Sequence, residues 1–232
     1  MFCMLVGVID PSLAARTRPT STSDSQMLPV VEPLRTLLPG GLPRGITISV
    51  EGSGATTLAF GLIAATTSQG SWCAIAGLDA IGFCAAAELG VDLGRLAVVA
   101  NQGDSWDSVV AALLDGADAV VLLPPAHVRP ATARRLAARA RARRSVLVVL
   151  GDSTWPEGPE IRLVVQEASW HGCGSDHSPL RARRAKVVRS GRRGAAQPVA
   201  TELWLPSPTG KIASSELPSD GSHARKDGEG VE

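Results

Sequence analysis

The strongest hint of chemistry lies in one short stretch, Ser49-Val50-Glu51-Gly52-Ser53-Gly54-Ala55-Thr56-Thr57. It follows a run rich in β-branched residues, Gly45–Glu51, and opens an apolar run, Ala55–Ser68. A glycine turn between a strand and a helix offers backbone N–H groups and the positive end of the helix dipole to an anion. The phosphate-binding pattern of this kind is G-x-x-x-x-G-K-[ST]. Gly54 and Thr56 match it, but Ser49 stands at the first glycine and Ala55 at the lysine. That lysine neutralises the β- and γ-phosphates and the charge that grows during phosphoryl transfer. An alanine methyl has no charge to offer, while Thr56 keeps a hydroxyl for a metal ion. Gly52, Ser53, Gly54, Ala55, Thr56 and Thr57 are the candidate nucleotide-binding residues, in a degenerate form. The alternative is a plain strand-to-helix turn.

Hydrolysis also needs two acids. One ends a later strand and holds magnesium through water. The strand expected for it, Ala119–Leu123, runs into Leu123-Pro124, and Asp118 sits at its wrong end. The other acid follows the second strand; in Gly77-Leu78-Asp79 the only acid is one residue off. Because the lysine and both acids fail together, the chain reads as a non-enzyme with no catalytic residue and no cofactor. The rival is an ATPase acting on DNA through a non-standard loop, with Thr56 as ligand of an ATP-bound magnesium ion and Asp79 as base.

Charge is sorted along the chain, although the net value is +1. Residues 1–128 hold five Lys/Arg against eleven Asp/Glu, and residues 129–210 hold fifteen against six. The stretch 129–144 has seven arginines and no acid. At helical spacing Ala133, Leu136, Ala137 and Ala140 line one face, while Arg134, Arg135, Arg139, Arg141, Arg143 and Arg144 fan outward. Residues 181–193 contribute Arg181, Arg183, Arg184, Lys186, Arg189, Arg192 and Arg193, again without an acid. Two readings stand for these clusters. One is a surface for an acidic protein or for DNA phosphate, with salt-sensitive, non-specific binding. The other is a solvated face whose later arginines suit a helix C-terminus. Tyrosine is absent and only Trp204 lies near, so base stacking is not expected. His171, Cys173 and His177 sit among Gly, Ser and Pro without a fourth ligand, and no metal site is expected. Cys73 and Cys84 are expected as core thiols.

The elements that must position these groups are short apolar runs alternating with helical patterns. Strands are predicted at Gly45–Glu51, Trp72–Ala76, Leu96–Ala100, Ala119–Leu123 and Val146–Leu150. Helices are predicted at Ala55–Ser68, Ala80–Leu89, from Asp104 or Ser105 to Leu114, and Ala131–Arg144, with Pro130 at its first turn. Strands apolar on both faces and separated by helices imply βαβ crossovers and a parallel sheet. Ile161–Gln166, Arg181–Arg189 and Val199–Leu205 follow without helices and read as an antiparallel extension. The expected fold is thus α/β, a mostly parallel central sheet with antiparallel C-terminal strands. Residues 1–29 read as a disordered leader in which Met27 is a candidate start, 30–206 as the core, and 207–232 as a disordered tail. With 44% hydrophobic and 19% charged residues, wholesale disorder is excluded. The apolar start lacks a basic flank and a cleavage site, no run is long enough to span a membrane, and four scattered cysteines make no disulfide framework. A cytoplasmic protein without membrane contact is expected.

The order of landmarks resembles the RecA recombinase core. Leu42-Pro43-Arg44-Gly45 precedes the first strand, then come Glu51 to Thr57 and Leu89-Gly90-Val91-Asp92. IRLVVQ resembles the first antiparallel strand of that core, and LRARRAKVVRSGRRGAAQPVATELWL its closing hairpin. The segments corresponding to DNA-contacting loops are short here, between Leu123 and Pro130 and between Gly151 and Glu160. With no polymerisation helix recognised, strand exchange is not implied. The combination is similar to the ImuA group and more narrowly to its actinobacterial ImuA-prime form. That resemblance implies an accessory role in DNA-damage-induced, SOS-type mutagenesis and translesion synthesis. It also implies partnership with an ImuB-like inactive relative of Y-family polymerases and, indirectly, with an error-prone C-family polymerase. A cell-division inhibitor of the damage response, which shares an abbreviated core of this kind, is the remaining alternative.

Overall fold

The computed structural model describes residues 26–100, 103–151, 155–156, 158–171, 182–192 and 197–215. The chain enters along β1 (Met27–Leu28), which pairs antiparallel with β2 (Leu42–Pro43). It then alternates: β3 (Thr47–Gly52), α1 (Ala55–Ser68), β4 (Cys73–Ala76), α2 (Phe83–Glu88), β5 (Leu96–Val99), α3 (Trp106–Gly116), β6 (Ala119–Leu122), α4 (Pro130–Arg143) and β7 (Val146–Leu150). Four strands close it, with no helix between them among the described residues: β8 (Ile161–His171), β9 (Ala182–Gly191), β10 (Val199–Trp204) and β11 (Ala213–Ser214).

Nine of these strands form one sheet in the order β11-β10-β9-β8-β3-β7-β6-β4-β5. From β8 to β5 every pairing is parallel; β8, β9, β10 and β11 pair antiparallel. The central parallel strands β3, β4, β6 and β7 are buried on both faces because a helix layer covers each. Ile48 and Val50 of β3, Ile75 of β4, Val121 of β6 and Val148 of β7 pack with Leu58, Leu62 and Ile63 of α1. Residues of opposite phase, Val120, Leu122, Leu147 and Val149, pack with Val110 and Leu114 of α3 and Ala133, Leu136 and Ala140 of α4.

The core reaches beyond the 30–206 expected from composition. Leu28 of β1 is buried, and Leu34, Leu37 and Leu38 of the following turn are buried with it. At the other end the chain folds back after Leu205, and Ile212 enters the core beside Leu34. Its Cδ1 would lie 2.0 Å from a Cβ placed on Gly61 of α1, so that glycine makes the room it needs. A single apolar residue in a polar stretch is a weak signal, which is why hydropathy ends the core too early. The helix expected over Ala80–Leu89 shrinks to α2, whose outward face exposes Cys84; of the two described cysteines Cys73 is the core thiol, with burial pushing its pKa up.

The Leu42-Pro43-Arg44-Gly45 motif is a clasp. Arg44 Nη1 donates to Asp118 Oδ1 at 2.6 Å, with both side chains nearly buried, and to the Arg144 carbonyl that ends α4 at 3.3 Å. Gly45, at φ +78°, lies against the Arg141 backbone of the same helix.

Candidate functional site: a glycine turn covered by an arginine

The turn between β3 and α1 forms because two positions admit only glycine. Gly52 has φ +88°, and a Cβ there would lie 2.2 Å from the Val165 carbonyl oxygen on β8. Gly54 has φ +93° and precedes the helix as its N-cap. Leu58 N–H donates to the Gly54 carbonyl at 3.0 Å as the first helical bond, so the N–H groups of Ala55, Thr56 and Thr57 lie ahead of the helix's own ladder. Ser53 is exposed, and Gly54 through Thr57 are half-buried. Glu51, buried just before the turn, is engaged by the Ser49 hydroxyl at 3.0 Å and by Arg162 of β8.

The turn is covered by Arg183. A Cβ on Gly54 would lie 1.4 Å from Arg183 Nη2, so the guanidinium rests on the Cα of the turn. Arg183 Nε donates to the Leu205 carbonyl at 3.1 Å and Nη1 to Ser53 Oγ at 3.3 Å; the Trp170 ring stands 5.5 Å from Cζ. Arg183 is 5% exposed, burial lowers its pKa, and Nη2 has no hydrogen-bond partner among the described residues.

This corrects the placement of Arg183 on a partner surface. The signal was available: Arg183 is in phase with Ala185 and Val187 of β9, both of which face the core. A β-bulge at Gln166–Ser169 of β8, with Glu167 at φ +43°, brings Trp170 opposite Arg183.

The other proposed residues lie elsewhere. On α4, Arg135 pairs with Asp107, and Arg139 and Arg143 both pair with Asp115, binding α4 to α3; Arg141 reaches Glu160 at 3.2 Å. Arg139 holds the Asp115 carboxyl below the usual carboxylate range. Arg134 is exposed on the same helix. Arg184 pairs with Glu202, and Lys186 lies 3.7 Å from Glu167. Arg189 is half-buried, and Arg192 is exposed and reaches over Gly158. Arg181, Arg193, Cys173 and His177 lie outside the described residues. His171 ends strand β8 rather than lying in a loop, and its ring meets Trp204 edge-on at 5.1 Å. Among the described residues no group of three metal-ligating side chains converges.

The residues present do not match a magnesium nucleotide. The lysine position carries the Ala55 methyl, Leu123 and Pro124 follow β6, and exposed Asp79 follows β4, three places from β3 in the sheet. A cavity of about 410 Å³ opens at the other end of β3, between Thr47, Arg141, Trp155 and Arg192. Thr47 is five residues from Gly52, roughly 16 Å along a strand, so this cavity is separate from the turn.

No helix among the described residues is long and apolar enough to cross a membrane. A model of the MT3502 N-terminal domain family matches residues 36–157, which take in the turn and the parallel strands from β3 to β7. Rv3395c, an uncharacterised protein of Mycobacterium tuberculosis, is 40% identical over 147 residues, 62% of this chain and 68% of that protein. The crystal structure of the RadB recombinase matches with a TM-score of 0.59 at 15% identity, covering 80% of this chain and 97% of the RadB chain. That likeness is one of fold, and the fold is RecA-like.

Proposed function

We propose that this chain, which belongs to the MT3502 N-terminal domain family, is a non-catalytic RecA-like adaptor that acts in the cytoplasm during DNA-damage-induced mutagenesis. The observation that carries the reading is the state of the turn. The scaffold that positions a phosphate loop is complete, yet Ala55 replaces its cation, Arg183 lies over Gly54, and β6 is followed by Leu123-Pro124. A motor fold without these groups contributes surfaces. The ImuA-like order of LPRG, glycine turn and basic hairpin makes its partner an ImuB-like, inactive relative of Y-family polymerases, and through it an error-prone C-family polymerase. Direct DNA contact is secondary, because Arg135, Arg139, Arg143 and Arg184 already face carboxylates of the chain itself.

The test is affinity capture of the full chain from DNA-damaged host cells, with the captured proteins identified by mass spectrometry, alongside ATP turnover by the purified protein. Recovery of the polymerase relative with background turnover supports the adaptor. Recovery of the division GTPase instead would favour the cell-division reading. ATP turnover abolished by Thr56→Val would establish the active ATPase.

A further inference from the structure

The basic face of α4 has two flanks, and the fold treats them differently. On one flank Arg135, Arg139 and Arg143 meet the carboxylates of α3. On the other, Arg134 and Arg141 stand about two helical turns apart and line the cavity at the start of β3. Between them the helix shows the cavity only the methyl groups of Ala137 and Ala138, which is why the space is open. Trp155 closes the cavity from below; it is 4% exposed and belongs to the same core as Leu136 and Ala140 of α4. The opposite wall is Arg192, just after β9. Its guanidinium lies over Gly158, and its backbone N–H donates to the Glu160 carbonyl at 2.9 Å. Three guanidinium groups therefore surround one carboxylate. Glu160 accepts from the Thr47 N–H at 2.9 Å and from Arg141 at 3.2 Å, whereas Arg192 pairs with none of the described carboxylates. Positive charge held beside apolar surface attracts an anion more strongly than the same charge in open water.

We propose that this cavity docks an acidic segment of a partner protein, taking an Asp or Glu carboxylate to its guanidinium groups and an adjoining apolar side chain over Ala137 and Ala138. Its volume of about 410 Å³ has room for the two side chains together. Glu160 already shows how these walls hold a carboxylate, with one guanidinium and one backbone N–H. Its fixed negative charge opposes a phosphate dianion more than a carboxylate monoanion. The alanine methyls suit an apolar group, which a nucleic-acid backbone does not bring. Arg134, Ala138, Arg141 and Arg192 are all exposed, so the site is an open cleft rather than an enclosed chamber. A small free acid would leave much of its surface in water there, whereas a polypeptide can set one pair of side chains inside and continue along the rim. The inference rests on the adaptor reading for the existence of a protein partner, and it adds the chemistry of the segment that partner presents.

The experiment is a titration of the ¹⁵N-labelled full chain, followed by NMR at constant ionic strength. The probe is the peptide Asp-Leu-Glu-Leu-Asp, acetylated and amidated at its ends. The controls are the same peptide with Asn and Gln in place of the acids, glutarate, and a single-stranded DNA hexamer. The acidic peptide should give saturable shifts centred on the Ala137, Ala138 and Gly158 amides and the Trp155 indole N–H. The neutral peptide should bind about tenfold more weakly or worse, as expected when charge-assisted hydrogen bonds are lost. Ala138→Phe, at an exposed helix position, should abolish these shifts, and Arg192→Gln should weaken binding about fivefold, the range of a partly exposed ion pair. In the affinity capture, the Ala138→Phe chain should lose the partner that the unaltered chain recovers. Equal recovery by both chains, with no peptide shift at the cavity, overturns this inference and leaves the adaptor standing. Peptide shifts at the cavity without any partner recovered keep the site and remove the adaptor. Equal binding of the neutral peptide, glutarate binding as tightly as the acidic peptide, or tighter binding of the DNA at the same amides would overturn the proposal.

Discussion

At the scale of single residues, two inward-pointing arginines of the described chain, nearly buried Arg44 and buried Arg183, do different work. Arg44 has a partner. Its ion pair with Asp118 is nearly dry, and the same guanidinium nitrogen also bonds a helix-end carbonyl. Removing one half of such a pair strands the other charge in a medium that cannot solvate it. Asp118→Ala is therefore expected to destabilise the fold by about 3–5 kcal/mol, read as a lower urea midpoint with an unchanged slope. Arg183 meets no carboxylate among the described residues; it lies on Gly54 and donates to the Leu205 carbonyl and to Ser53 Oγ. The contrast was half legible in the sequence. The phase of Arg183 with Ala185 and Val187 gives its direction, but nothing in a linear chain tells that β9 lies two places from β3 and delivers the side chain to Gly54.

At the scale of elements, most of the regular structure could be read from pattern. The helix expected at Ala55–Ser68 and the strand at Val146–Leu150 have those bounds in the structure, because an uninterrupted apolar run closed by polar or glycine residues leaves little choice. What pattern did not yield is the bulge that carries β8 on to His171, and the fold-back that seats Ile212. Both depend on contacts made far away in sequence. The arginines of α4 were legible as an outward face, but their partners were not: Asp107 and Asp115 project from the neighbouring helix. This interface is pH-sensitive in a definite direction. Arg139 lowers the folded-state pKa of Asp115, so its contribution is complete above the unfolded value near pH 4 and is lost as the pH falls through the lower folded value. Asp115→Asn is expected to be less stable than the parent at pH 7 by under about 1 kcal/mol, since the group is partly exposed. The two proteins should converge as the pH falls below the unfolded carboxylate value of about 4 and through the lower folded value, as measured by urea unfolding at each pH.

For the whole molecule, the separation of charge along the chain turns out to be a folding device. The acidic first half and the basic second half meet in space at Arg135–Asp107, Arg139–Asp115 and Arg143–Asp115. A strongly cationic stretch in sequence is thus no guarantee of a cationic surface. The α/β architecture and its antiparallel extension were readable because strand and helix periods differ, whereas the surface was not, because it depends on which face of each helix meets an oppositely charged neighbour.

The Arg44 clasp also bears on what a cut chain would do. The connection from Leu123 to Arg129 has no helix or strand, with Pro125, Ala126 and His127 exposed, and makes an accessible target for a protease. The strands on either side, β6 and β7, are neighbours in the middle of the sheet. Arg44 grips the residue just before β6 on one side of that cut and the end of α4 on the other. Limited digestion there should yield two bands on a denaturing gel and one undivided peak on a sizing column.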